Sequence, residues 1–181
     1  MSRTSSQTFE FSTFSKWLHW GGMFLVILLI IAGTIMVNLD DGSPQRALIY
    51  RLHGIIGMLI VLSTLARIVI RLRHPQSIPE GMTDKWNIWL HGIVQWGMYL
   101  VMLGLGISGT ATLALNNTTA FTVDPSILDR TIATVQGHFV LTRLFIVLVV
   151  LHVAGVMRHQ LTRSDVLRRM GLNTPLGKSK N

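Results

Sequence analysis

Long apolar stretches separated by shorter polar segments dominate the pattern of the chain. Each apolar stretch has about 20 residues or more, which is enough to cross a hydrocarbon core about 30 Å thick as a helix. The pattern predicts membrane-spanning helices at about residues 17–37, 52–72, 86–109 and 136–158, with Leu115 as an alternative end of the third. The chain is therefore predicted to be an all-α membrane protein, folded as a four-helix transmembrane bundle.

The bundle accounts for most of the 181 residues, so we expect one compact unit. A Ser/Thr-rich arm over residues 1–15 precedes it, the helical domain covers 16–171, and a polar tail covers 172–181. Hydrophobic residues make up 49% of the chain and charged residues 13%. Because the apolar residues are gathered into long runs, this composition is typical of a protein in contact with lipid.

The basic residues predict which way the bundle faces. The net charge is +8, which in a soluble protein would direct attention to nucleic acid. Here the basic residues flank apolar spans, so we expect no nucleic-acid partner. Twelve of the sixteen lysines and arginines lie on the side of the two termini, whereas Arg46, Arg51 and Arg130 lie on the other side. The positive-inside rule then predicts cytoplasmic N- and C-termini.

The last apolar stretch carries three histidines on one face. His138 and His152 are fourteen residues apart, which brings the helix back to within about 40° and separates the two side chains by about 21 Å along the axis. His159 follows seven residues later on the same face. Ionisable residues inside a membrane are costly and tend to mark a site or a pathway. The pattern therefore predicts partners for these histidines at the same depths in the other spans.

Two other spans provide those partners. His19 begins the first span at the inner level of His152, and His53 begins the second span at the outer level of His138. Two imidazoles from neighbouring helices suit one metal ion with ligands on opposite sides. The chain has no cysteine, which excludes thiolate ligands and covalent haem attachment. The pattern therefore favours two non-covalent b haems, with these four histidines as the axial ligands of the iron.

A histidine at a helix end also has a simpler interpretation, as a polar residue at the membrane interface. Small residues near the ligands have two interpretations as well: they let a porphyrin approach the backbone, or they let helices pack closely. The glycines so placed are Gly21, Gly22, Gly54, Gly57, Gly137 and Gly155.

Three further polar positions lie in or beside the spans. His159, near the inner level, is interpreted as a proton donor or hydrogen-bond partner of a quinone, or alternatively as a headgroup contact. His91, Gln95 and Tyr99 form one stripe, which suits helix packing or a polar lining. Arg143 is expected to contact protein, water or a haem propionate; the alternative is that it snorkels to the interface.

Several motifs resemble the bacterial di-haem cytochrome b561 family over nearly the whole chain. They are K-W-L-H-W at 16–20, H-G-I-I-G at 53–57, A-R-I-V-I-R-L-R-H-P at 66–75, Y-L-V-M-L-G-L-G-I-S-G at 99–109 and L-H-V-A-G-V-M-R-H at 151–159. The resemblance implies four transmembrane helices, two b haems, electron exchange with quinone and a location in the bacterial inner membrane. One member of the family oxidises superoxide at the outer face and reduces ubiquinone near the inner face.

By position, the resemblance assigns His19 and His152 to the inner haem, His53 and His138 to the outer haem, and His159 to the quinone end. The chain departs from the family at Gln95, where a histidine is common; here the histidine lies one turn earlier, at His91.

Two other functions stay open. The chain would also suit the membrane cytochrome b subunit of a dehydrogenase or hydrogenase, with a redox partner protein on the outer loops, although these loops carry no recognisable docking motif. A histidine-based metal-ion transporter is the alternative of another class. The absence of Asp and Glu inside the spans counts against it, because a path for hard cations needs carboxylates.

Overall fold

The computed structural model of the protein describes residues 11–74, 85–162 and 166–172. Its elements are α1 (Thr13–Asn38), α2 (Pro44–Arg73), α3 (Lys85–Leu115), α4 (Ala133–Thr162) and the single turn α5 (Val166–Arg169). The described residues contain no strand, and α1 to α4 are each long and apolar enough to cross a membrane. The predicted all-α, four-helix transmembrane bundle is therefore confirmed.

The helices run beyond the predicted apolar spans. Helix α2 begins at Pro44, about two turns before the predicted start, because Ser43 accepts a hydrogen bond from the backbone of Arg46 and proline suits the first turn. Helix α1 begins at Thr13, so the end of the predicted arm is helical; residues 1–10 of that arm lie outside the described ranges. Residues 173–181, nearly all of the predicted tail, lie outside them as well.

The four long helices pack in chain order, α1 on α2, α2 on α3 and α3 on α4. Within the described ranges, the backbone of α4 approaches neither α1 nor α2 closely. The packed centre consists of Ile60, Tyr99, Val101, Met102 and Phe145. Phe145 lies seven residues from each of two histidines on α4, so this apolar layer separates the two histidine levels.

Two connections close the end of the bundle opposite the termini, which we call the loop end. In the α3–α4 loop, Ala120 and Val123 are buried, and Arg51 Nε donates a 3.4 Å hydrogen bond to the Val123 carbonyl. Asp41, in the α1–α2 loop, pairs with Arg46 and accepts a 2.5 Å hydrogen bond from Arg130. That hydrogen bond is the main reason why the pKa of Asp41 lies below its ordinary value of 3.8. Asp41 thus joins the two loops.

The other end of the bundle, the terminal end, is closed by the chain that follows α4. The backbone N–H of Leu167 donates a 3.0 Å hydrogen bond to Gln160 Oε1. The Met170 carbonyl accepts a 2.9 Å hydrogen bond from Trp20 Nε1. The turn at α5 is therefore attached to both the first and the last long helix.

Candidate functional site

The structure brings the four predicted ligand histidines together in two pairs. His19 of α1 faces His152 of α4, with ring centroids 6.3 Å apart and ring planes at 57°. His53 of α2 faces His138 of α4, with ring centroids again 6.3 Å apart and planes at 64°. The two pairs lie at separate levels, because fourteen residues of α4 rise about 21 Å.

The spacing within each pair suits a metal ion between the rings. An imidazole–metal bond is about 2.0–2.1 Å long, as found for zinc, and the bonded nitrogen lies about 1.1 Å from the ring centre. Two imidazoles on opposite sides of one metal ion therefore have ring centroids about 6.3 Å apart. Both pairs have this separation. They also occur where α4 faces α1 and α2, the two helices that its backbone does not touch.

A hydroxyl group fixes the orientation of His138. Ser108 Oγ lies 3.0 Å from Nδ1 of His138 and donates its own proton to the Leu105 carbonyl, also at 3.0 Å. Because the serine proton is used in that way, Ser108 accepts from Nδ1–H, and the lone pair of the ring is on Nε2. Metal-binding histidines are commonly oriented by such a bond from the second nitrogen. Ser108 was not predicted from the sequence, because α3 also carries Thr110 and Thr112 and nothing in the spacing distinguishes Ser108 from them.

His53 is held differently. Its Nδ1 atom is buried near the backbone of Leu29 but forms no hydrogen bond of normal geometry. The same edge of the ring faces α1, where a Cβ placed on Gly33 would lie 3.5 Å from Cε1. A buried imidazole nitrogen without a partner costs free energy, which metal coordination of the ring offsets. These observations fit a metal-centred cofactor at this level.

The six glycines predicted beside the ligands divide between close helix packing and open space that a porphyrin could occupy. A Cβ on Gly22 would collide with Arg67, and one on Gly54 would lie 2.8 Å from the Ala120 Cβ, so these two glycines permit close packing. A Cβ on Gly57 would meet no atom within 4 Å, and this residue lies about 40° from His53 around α2. Gly137 and Gly155 also have open surroundings. A Cβ on Gly21 would also meet no atom within 4 Å, and this residue lines a groove of about 330 Å³ between α1 and α2.

Polar side chains gather around the pair nearest the terminal end. Arg67 donates a hydrogen bond to the Leu18 carbonyl of α1, one residue before His19. Its Nε atom is buried and has no hydrogen-bond partner in the described ranges. Arg67 lies fourteen residues after His53 and thus close to the histidine face of α2, a spacing that could have indicated this residue from the sequence.

Further along the same end, the Arg71 guanidinium lies over the Trp96 ring at 5.2 Å. Arg71 Nη1 and Gln95 Oε1 are buried and form no hydrogen bond with any described residue. His91 lies within electrostatic range of Arg71, His152 and His159. Both ring nitrogens of His159 are buried. The predicted stripe on α3 therefore contributes two residues, His91 and Gln95, to a polar cluster at the level of the His19–His152 pair, while Tyr99 belongs to the packed centre.

Arg143 is exposed on α4. Its position favours the alternative in which the guanidinium reaches towards the membrane interface.

Four membrane-spanning helices with facing imidazoles at two levels define a class of protein: a membrane bundle that holds a metal cofactor between its helices. The chain matches the family model described as prokaryotic cytochrome b561 over residues 10–172, and it belongs to that family. It is therefore a multi-pass protein of the bacterial inner membrane that binds haem b and transfers electrons. Searches of the curated proteins and of the solved structures found no match to the chain.

Proposed function

We propose that the protein holds two b haems and carries electrons across the membrane, from a donor at the loop end to quinone at the terminal end. The observation that supports this best is the pair of facing imidazoles at each of two levels, both with centroids 6.3 Å apart. His19 and His152 would hold the haem at the inner level, and His53 and His138 the haem at the outer level. Each bound haem supplies a one-electron iron couple.

The rest of the bundle supports this role. Phe145, Ile60 and Tyr99 fill the layer between the two levels, which keeps water and ions out of the electron path. Under the positive-inside rule the terminal end would be cytoplasmic.

Replacement of single histidines tests the assignment. We expect His53→Ala and His138→Ala to deplete one haem, and His19→Ala and His152→Ala to deplete the other, because each ring pair needs both of its ligands. Pyridine-haemochrome titration gives the number of haems per chain, and potentiometric titration shows which one is lost. His74→Ala is the control, since His74 is exposed at the end of α2 and should leave both haems in place. Wild-type protein with fewer than two haems, or loss of the same haem from His19→Ala and His138→Ala, would contradict the proposal.

The polar cluster at the terminal end supports a quinone site there. His159 lies about 10 Å beyond His152 on the same face of α4. A quinone carbonyl accepts hydrogen bonds, and the buried Arg71 Nη1 can donate one. His159 would supply a proton from its ring as the quinone is reduced. The accompanying transfer of electrons to quinone would make the protein an oxidoreductase.

The His159→Ala variant tests this site. We expect it to keep both haems but to slow their oxidation by added ubiquinone-1 at least tenfold, because a positioned acid contributes about that much or more. Stopped-flow absorbance of the dithionite-reduced protein measures the rate, with His74→Ala as the control. An unchanged rate, or a slower rate explained by missing haem, would exclude the role of His159.

Two kinds of electron donor are candidates at the loop end. Superoxide is the donor that the resemblance implies, but the α1–α2 and α3–α4 loops together with the start of α2 carry three arginines and four aspartates, a net charge of −1. This charge does not attract an anion. Phe121 and Ile127 are exposed on the α3–α4 loop, which favours a docked redox protein, as in a dehydrogenase or hydrogenase complex. Reduction of the haems by superoxide in stopped flow supports the first donor, and co-purification of a redox subunit supports the second.

A further inference from the structure

Arg46 is a buried charge on the same side of α2 as an outer histidine ligand. It precedes His53 by seven residues, which places it within about 20° of that side chain around the helix and about 10 Å nearer the loop end. Its side chain is almost fully buried, with 2% of the residue exposed. A charge in this position is costly unless all of its donors are used.

Only one edge of the Arg46 guanidinium is used within the described ranges. Nη1 pairs with Asp41 and donates a 2.8 Å hydrogen bond to the Leu39 carbonyl. Nε and Nη2 are buried and have no hydrogen-bond partner among the described residues. The N–H groups on these two nitrogens point in the same direction, and this fork matches the two oxygens of a carboxylate.

We infer that Arg46 binds a propionate carboxylate of the haem held by His53 and His138. The inference rests on the proposed outer haem. Haem b carries two propionates, and the free edge of Arg46 lies on the ligand face of the helix that supplies His53. A small anion from solution is a poorer match, because the guanidinium is covered and its other edge is already paired with Asp41. The contact with Asp41 holds the guanidinium in place, so the N–H groups on Nε and Nη2 stay oriented in one direction.

The first test compares Arg46→Gln with Asp41→Asn by potentiometric titration of the full-length, haem-loaded protein. Loss of the guanidinium leaves a negative propionate uncompensated near the iron, so Arg46→Gln should lower the midpoint potential of the outer haem and leave that of the inner haem unchanged. Asp41→Asn keeps the guanidinium and removes a negative charge, so it should not lower the potential. If both variants lower it equally, Arg46 acts only through the loop contact and the inference is wrong.

The second test changes the cofactor. Protein reconstituted with iron protoporphyrin IX dimethyl ester has no propionate charge, so the difference in midpoint potential between wild type and Arg46→Gln should become smaller than it is with haem b, as in a double-mutant cycle. The part that remains is the direct effect of the guanidinium charge on the iron. A difference of the same size with the ester as with haem b shows that Arg46 does not act through the carboxylate and overturns the inference. If the difference keeps that size and also varies with added chloride or azide, a free anion is the ligand instead.

A third measurement does not need the variant to fold. Wild-type protein should lose the ester from the outer level faster than it loses haem b, measured by transfer to an excess of haem-free myoglobin. Equal dissociation rates would overturn the inference. Failure of the proposed function is distinguishable, because wild-type protein would then contain no haem that His53→Ala removes.

Discussion

The direction in which His138 presents its nitrogens depends on one serine. Ser108 Oγ accepts a hydrogen bond from Nδ1–H of His138 and donates one to the Leu105 carbonyl, so both hydrogen bonds tie the imidazole to α3. This arrangement makes the imidazole a stronger electron donor on its other nitrogen. A more strongly donating ligand favours the oxidised form of an iron centre.

The Ser108→Ala variant should therefore raise the midpoint potential of the outer haem and weaken its binding by about tenfold to a hundredfold, as for other residues that orient metal ligands. The inner haem should be unaffected. Potentiometric titration and haem-transfer kinetics measure both effects. Thr110→Ala is the matched control on α3, since its hydroxyl donates only within its own helix. Equal changes in the two variants, or a change at the inner haem, would show that Ser108 does not act through His138.

At the residue scale, the sequence predicted which histidines meet but not what surrounds them. The 14-residue spacing on α4 and one histidine at each matching depth were sufficient to pair His19 with His152 and His53 with His138. Their role as iron ligands stays a prediction. Ser108 could not be selected, because its bond depends on how α3 and α4 are rotated against each other. Arg46 entered the sequence analysis only as one of three basic residues on the side away from the termini, and its burial against Asp41 and Leu39 was not predictable.

At the scale of helices, one glycine controls how closely α2 and α3 pack. A Cβ on Gly106 would overlap Cγ2 of Val61. A close approach of this kind between membrane helices depends on the small residue at the contact. Gly92 lies on the same helix, but a Cβ there would meet no atom within 4 Å.

We expect Gly106→Ala to destabilise the protein by about 1–3 kcal/mol through overpacking. Adding Val61→Ala should recover part of this loss, because it removes the methyl group with which the new Cβ collides. Gly92→Ala should have little effect. Thermal unfolding of the detergent-solubilised protein, followed by circular dichroism, measures the differences. Similar melting temperatures for Gly106→Ala and Gly92→Ala would show that the contact does not limit the packing.

The number and type of the helices were predictable from apolar length, whereas their ends were not. The apolar pattern reports the depth of the hydrocarbon core, and a helix continues past it wherever caps and favourable first-turn residues allow. Helix α2 shows this, since Ser43 and Pro44 start it in a segment that reads as a polar loop. Helix α3 ends at Leu115, the later of the two ends that the sequence pattern allows.

At the scale of the whole molecule, charge is distributed very unevenly. The loops and helix start at the loop end have a net charge of −1, although the chain as a whole has +8. The uneven distribution was readable from the sequence, and the cytoplasmic position of the termini stays a prediction. The linking of the two loops through Asp41 was not readable, because Arg130 lies 89 residues away and reaches it only in the folded chain.

The packing order of the helices has a consequence for biogenesis. Helices α2, α3 and α4 each contact the preceding helix, so these contacts can form one after another as the chain enters the bilayer. The side where α4 faces α1 and α2 has no such backbone contact, and it closes through the histidine pairs. The supply of haem would then determine what fraction of the inserted molecules reaches the closed bundle. Molecules without haem would be the ones exposed to membrane proteases.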